Sequence, residues 1–116
     1  MDDFLRQMGL RIYQRRKELR LTQEELAEAA GLTSQTVSTA ELGKKALRPE
    51  NIVKLAEALE VSTDYLLRGK ITNEDYILLS GKIAALSTTQ YHYLEDIVKN
   101  FISAIKAEQD RTNDSL

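Results

Sequence analysis

Apolar residues recur every three or four positions along almost the whole chain. Short polar clusters carrying a glycine or a capping hydroxyl interrupt them. That rhythm predicts an all-α protein. A first helix, roughly Asp3 to Leu19, sets Leu5, Met8, Ile12 and Leu19 on one stripe. A second begins after Thr22, which forms a capping box with Glu25, while Leu21 and Leu26 stand at the spacing of a hydrophobic staple. Gly31 supplies its left-handed C-terminal cap. A third helix restarts at once: Thr33 is the N-cap, Leu32 and Val37 repeat the staple, and Gly43 closes the segment. Only Gly31, Leu32 and Thr33 separate the two, so they must cross steeply.

The pattern continues beyond that turn. Arg48-Pro49 opens a fourth helix with Ile52, Leu55, Ala56 and Leu59 as its buried stripe. Val61 and Leu66 bracket the Ser62 cap of a fifth, which ends at Gly69 and carries Tyr65, Leu66 and Leu67 as apolar bulk. From Lys70 two more helices are expected. Thr72 is placed to cap the first, with Glu74 and Asp75 in its opening turn and Tyr76, Leu79, Ile83 and Leu86 on its stripe. Gly81 in its middle marks a close helix contact or a weak point. Ser87 and Gln90 form a second capping box. Tyr91, Leu94, Val98, Phe101 and Ile105 then repeat at helical spacing, joined by Ile97 and Ile102. The domain reading is 1–69, a five-helix bundle; 70–108, a two-helix hairpin; and 109–116, a polar flexible tail.

The third helix carries the candidate chemistry. At about 100° per residue, Val37, Ala40 and Glu41 share its inner face, while Gln35 and Thr39 point outward beside Thr36, Ser38 and Leu42. Ser34 lies in the first turn. A projecting ridge of hydroxyls and one amide suits the DNA major groove, where such groups donate to and accept from base edges. A solvated polar face is the alternative. Arg16 falls on the inner stripe of the first helix, and a buried charge needs a partner. Glu41 on the facing stripe is the candidate; otherwise Arg16 snorkels to solvent. Lys44, Lys45 and Arg48 lie in the loop after the third helix, where a phosphate backbone would pass, or they are ordinary solvated loop charges.

These residues resemble the Cro/lambda-repressor-like helix-turn-helix family of bacterial and phage regulators. The matching text is IYQRRKELRLTQEELAEAAGLTSQTVSTAELGKK followed by RPENIVKLAEALEVSTDYLLRG, within residues 5–69. The resemblance implies a phosphate contact from Gln23. It implies base contacts from Ser34, Gln35, Thr36, Ser38 and Thr39, and the Arg16–Glu41 pair. Two positions depart from the family pattern: Thr39 is shorter than the residues usual there, and Leu42 replaces a polar or basic one. The loop and fifth helix are a further possible dimer edge in such proteins.

Composition narrows the reading. The chain has 116 residues, no cysteine and a net charge of −2. Disulfides and thiolate metal sites are excluded. No run approaches membrane-spanning length and the N-terminus lacks a signal-peptide pattern, so a cytoplasmic protein is expected. Residues 1–69 hold 11 basic and 11 acidic side chains and 70–116 hold 5 and 7, so the tail carries the deficit. Arg11, Arg15, Arg16, Lys17 and Arg20 crowd the end of the first helix, and such local distribution matters more than the total. His92, the single histidine, sits with Glu95 and Asp96 on one helix, too few ligands for a metal. No phosphate loop or nucleophile elbow is present. Neither an enzyme nor a cofactor is expected. The expected partners are double-stranded DNA and a second copy of the chain, joined through Tyr91, Leu94, Val98, Phe101 and Ile105. Three alternatives remain. The stripe packs on the chain's own bundle; the C-terminal helices bind a different protein, such as a toxin or antagonist; or the chain is a structural helical adaptor.

Overall fold

The computed structural model describes residues 2–114, with side chains over 3–112. The described residues form seven helices and no strand: α1 (Asp2–Glu18), α2 (Gln23–Ala30), α3 (Ser34–Glu41), α4 (Pro49–Leu59), α5 (Thr63–Arg68), α6 (Asn73–Ala84) and α7 (Thr88–Asp114). They divide into two units, Met1–Leu79 and Ser80–Leu116. The all-α expectation holds. The first unit extends past residue 69, because the opening turns of α6 belong to it.

In the first unit α1 packs on α3, α4 and α5, and α2 packs on α3 and α4. Met8, Ile12, Leu26, Val37, Leu55, Leu59 and Leu66 are almost wholly removed from water. They come from five helices, so the bundle has one shared core. The caps are those the local sequence demands. Thr22 Oγ1 accepts from the Glu25 N–H at 3.0 Å, and the Thr22 N–H donates to Glu25 Oε1 at 2.9 Å. Thr33 and Ser62 cap α3 and α5 through the N–H groups of Thr36 and Tyr65. Gly31 adopts φ 68°, where a side chain would be strained, and its N–H closes α2 on the Ala27 and Glu28 carbonyls.

Two arginines of the α1 basic cluster have structural partners. Arg11 Nη1 donates to the Leu66 carbonyl at 2.9 Å, and Arg15 Nε donates to the Leu59 carbonyl at 2.9 Å. Both carbonyls lie in the last turns of α5 and α4, where the helix leaves acceptors unmatched and its dipole favours a cation. The cluster is therefore in part a set of helix-end caps.

α6 starts differently from the expectation that Thr72 caps it. The Asp75 carboxylate is the hub. It accepts from the Thr72 N–H and hydroxyl at 2.9 and 3.2 Å, and from the Ser62 N–H and hydroxyl at 2.8 and 2.7 Å. Ser62 is buried, so this carboxylate fastens α6 to the start of α5. Burial alone would raise the Asp75 pKa; the Thr72 and Ser62 donors outweigh it and hold the value below the ordinary 3.8. A carboxyl lowered on folding stabilises above its unfolded value and loses that contribution as pH falls through its folded value. The contribution is thus fully present at neutral pH and begins to fall below about pH 4, declining further as pH drops through the lower folded value. Asp75→Asn is expected to cost about 1–2 kcal/mol at pH 7 in urea unfolding, and the gap from wild type should narrow steadily as pH falls below about 4.

In the second unit Ser87 and Gln90 form the expected box, with hydrogen bonds of 2.9 and 3.2 Å. α7 runs on to Asp114, where a flexible tail had been expected from residue 109. Glu108, Gln109 and Arg111 are good helix formers, and the Thr112 hydroxyl donates to the Glu108 carbonyl one turn back at 3.0 Å. Residues 115 and 116 of that segment lie outside the described residues. Of the expected stripe, Tyr91, Val98, Phe101 and Ile105 are exposed and Leu94 is half-buried. Gly81 has open space where its Cβ would stand, so it marks no close contact here.

Candidate nucleic-acid interface

The orientation of α3 is set by a buried ion pair. Arg16 Nε and Nη2 donate to Glu41 Oε2 and Oε1 at 2.7 and 3.1 Å, a bidentate fork. Arg16 Nη1 donates to the Leu21 carbonyl at 2.8 Å, and the Tyr13 ring lies 5.3 Å from the guanidinium carbon. The Glu41 hydrogen bond raises the Arg16 pKa above its already high ordinary value, against the opposing effect of burial. The side chains are 9% and 4% exposed, so the snorkelling alternative does not occur.

Gln23, implied by resemblance to touch phosphate, is half-buried at the start of α2. Its amide donates to Glu41 Oε1 at 3.0 Å, so that donor is committed to the ion pair. The Gln23 backbone and carbonyl oxygen lie at the same helix end.

A second device holds α3 against α1. A Cβ on Gly9 would collide with the Ala40 carbonyl oxygen and approach the Glu41 carbonyl oxygen to 2.6 Å. The α1 backbone thus rests directly on the last turn of α3. The only sequence signal was a glycine inside an otherwise good helix, which usually has a packing reason.

With its inner face fixed, α3 presents its outer face to solvent. Val37 and Ala40 are buried, Ser34 and Gln35 are exposed, and Thr36, Ser38 and Thr39 are half-buried. The ridge is partly satisfied from within. Gln35 Nε2 donates to Thr39 Oγ1 at 3.3 Å, and the hydroxyls of Thr33 and Thr36 lie 2.8 Å apart. The long Gln35–Thr39 bond is readily exchanged for a partner in a groove. Leu42 extends the ridge as an exposed apolar end.

Lys44, Lys45 and Arg48 are all exposed. Lys45 and Arg48 join Gln35, Thr36, Thr39 and Asn51 around a cleft of about 270 Å³. The base-reading candidates therefore stand directly beside two cations, as binding alongside a phosphate backbone requires. Among the described residues no group of three or more His, Cys, Asp or Glu side chains could hold a metal ion. No described helix is long and apolar enough to cross a membrane.

Two short helices joined by a glycine turn, the second held proud by an ion pair, define a helix-turn-helix DNA reader. The family model described as "Helix-turn-helix" matches residues 12–66. The chain is 38% identical to the P22 c2 repressor in its complex with a synthetic operator, covering 54% of this chain and 96% of that one with a TM-score of 0.53. It is 35% identical to the restriction-modification controller protein C.AhdI from Aeromonas hydrophila, covering 53% and 94%, TM-score 0.52. A SinR protein/SinI protein complex aligns over 83% of this chain and 98% of that one at 26% identity, TM-score 0.53. The chain belongs to the Cro/C1-type helix-turn-helix family of DNA-binding transcriptional regulators. Its first unit has the lambda-repressor-like fold. It spans less than half the length of the curated relatives it matches: repressor protein C2 of Salmonella phage P22 is 37% identical over 65 residues, 30% of its length.

Proposed function

We propose that this chain acts in the cytoplasm as a repressor, binding a palindromic operator as a homodimer joined by its C-terminal helices. Each α3 lies in the major groove of one half-site, the two about 34 Å apart. Ser34, Gln35, Thr36, Ser38 and Thr39 face base edges, and Gln23, Lys44, Lys45 and Arg48 meet phosphates. Occupation of promoter DNA, without chemistry, blocks transcription. The observation that carries the reading is the outward ridge of α3 beside the Lys45–Arg48 cleft, held by Arg16 and Glu41. The operator in the P22 repressor complex supports it. The exposed α7 stripe supplies a surface for pairing. Dimerisation matters for this chain because a net charge of −2 gives little general attraction to DNA.

Selection from a random DNA pool, with sequencing of the bound fraction, tests the proposal: a palindrome is expected, and binding without enrichment would contradict it. Gln35→Ala should lower affinity for the selected site by about 1–3 kcal/mol and relax preference at one position. Lys44→Ala should weaken all sequences alike and reduce the salt slope by about 1. Titrations of both variants at several salt concentrations separate the two roles.

A second reading is favoured by the exposed stripe together with the SinR/SinI complex: the C-terminal helices bind a different protein that controls DNA binding. It requires purified chain that stays monomeric at tens of micromolar.

A further inference from the structure

We propose that the groove between α1 and the end of α3 takes the sugar–phosphate backbone of the second DNA strand, with Arg6 as its cation. The inference rests on the reading of α3 as the helix that enters the major groove. That groove is about 12 Å wide, so a helix seated in it has a strand on each flank. At about 100° per residue, Thr36 and Ser38 stand on opposite sides of Gln35, about 160° apart around α3. The Thr36 flank opens on the cleft that holds Lys45 and Arg48. On the Ser38 flank the Gln23 amide already donates to Glu41, and Leu42 is apolar. Neither supplies a free charge to a phosphate there.

The Ser38 flank holds a groove of about 510 Å³. Ser38 and Leu42 line it from the α3 side, and Arg6, Leu10 and Tyr13 from α1. Arg6 is the one cation among the described residues that line it. The acid there, Glu41, is already neutralised by the Arg16 fork. Arg6 is exposed and, among the described residues, its side chain makes no ion pair or hydrogen bond.

The backbone beneath Arg6 is fixed against α3. A Cβ on Gly43 would stand 2.8 Å from the Arg6 nitrogen and 2.9 Å from its Cα, so the two segments touch directly. One turn along α1, Gly9 meets the Ala40 and Glu41 carbonyls. Two contacts a turn apart set where the Arg6 side chain begins relative to the ridge. Leu10, Tyr13 and Leu42 are exposed and apolar, and the Tyr13 ring is held by the Arg16 guanidinium. An apolar floor with one free cation matches a nucleotide backbone, which offers a deoxyribose face beside each charged phosphate. Ser38 and Leu42 belong both to this groove and to α3, so a strand that follows the ridge passes along it.

Salt titrations with Arg6→Ala and Arg6→Lys test the contact on the full chain. Arg6→Ala should weaken binding to the selected operator and to an unrelated duplex alike, about three- to tenfold at about 0.15 M salt. It should reduce the salt slope by about 0.9. Arg6→Lys should keep the slope, because the charge remains. The side chain is exposed, so thermal unfolding of both variants should match wild type. Operator duplexes carrying one neutral methylphosphonate each then locate the phosphate. The position whose neutralisation weakens wild type but not Arg6→Ala should lie on one strand of a half-site. The position found in the same way with Lys45→Ala should lie on the other strand. Both on one strand would overturn the two-flank arrangement. Arg6→Ala with wild-type affinity and slope would overturn the contact, while a position-specific loss in Gln35→Ala keeps the α3 reading standing. If Gln35→Ala also binds every duplex as wild type does, the α3 reading fails and takes this inference with it.

Discussion

Glu41→Ala is expected to destabilise the first unit by about 3–5 kcal/mol, read as a lower urea midpoint with an unchanged slope. The variant leaves the Arg16 guanidinium buried, with the Leu21 carbonyl as its one remaining hydrogen-bond acceptor in the network, and strips the Gln23 amide of its acceptor. Small domains have about 5–15 kcal/mol in total, so the loss approaches global unfolding. The pair need not be optimal for stability. Taking two charges out of water costs nearly as much as their attraction returns, so Arg16→Met combined with Glu41→Leu should recover most of the loss. The doubly substituted chain is nevertheless expected to bind its selected site more weakly, because the fork that sets the angle of α3 is gone. A single variant within about 0.5 kcal/mol of wild type would show that the pair contributes little to folding.

Gly9→Ala is expected to destabilise by about 2 kcal/mol even though alanine is the better helix former. The substitution gains about 1 kcal/mol of helix propensity. The new methyl group, however, meets two backbone carbonyls of α3, which cannot rotate away as a side chain would. Overpacking of this kind typically costs about 1–3 kcal/mol, and rigid neighbours place it at or above the upper end. Relief requires α1 and α3 to separate, which also disturbs the ion pair, because Glu41 supplies one of those carbonyls and Arg16 lies about two turns further along α1. Gly81→Ala supplies the opposite sign. It lies within α6 with open space around it, so the same change should stabilise by about 0.5–1 kcal/mol. Thermal unfolding of the two variants compares one substitution in two settings. Equal effects would mean that the contact at Gly9 yields easily.

The lowered Asp75 pKa bears on how far the first unit reaches. Gly69 closes α5 with φ 72°, a local stop signal. The unit continues because Asp75, in the first turn of the next helix, reaches back to Ser62. Asp75 was visible as a favourable first-turn acid, while its distant donors were not.

The tail shows the same division. Thr72 and Asp75 are three residues apart, and a Thr cap followed by an acid is a common helix opening. The direction of donation between them was decided by Ser62. The carboxylate already accepts from Ser62, and the Thr72 hydroxyl adds a donor to that hub. At the far end, polar composition suggested fraying, but Glu108, Gln109 and Arg111 favour the helix on propensity alone.

Residue order alone determined the helices, their caps and the outward ridge of α3, because capping, stapling and facing act across three or four residues of one helix. It also made Glu41 the candidate partner of Arg16, since two opposite charges on inward stripes have few other places to go; the bidentate fork in the structure decided against a snorkelling Arg16. Only the tertiary structure decided that Gly9 bears on α3, that Arg11 and Arg15 end on the carbonyls of Leu66 and Leu59, and that Asp75 holds Ser62. Those contacts depend on the angles and offsets at which helices cross, and local periodicity carries no record of them.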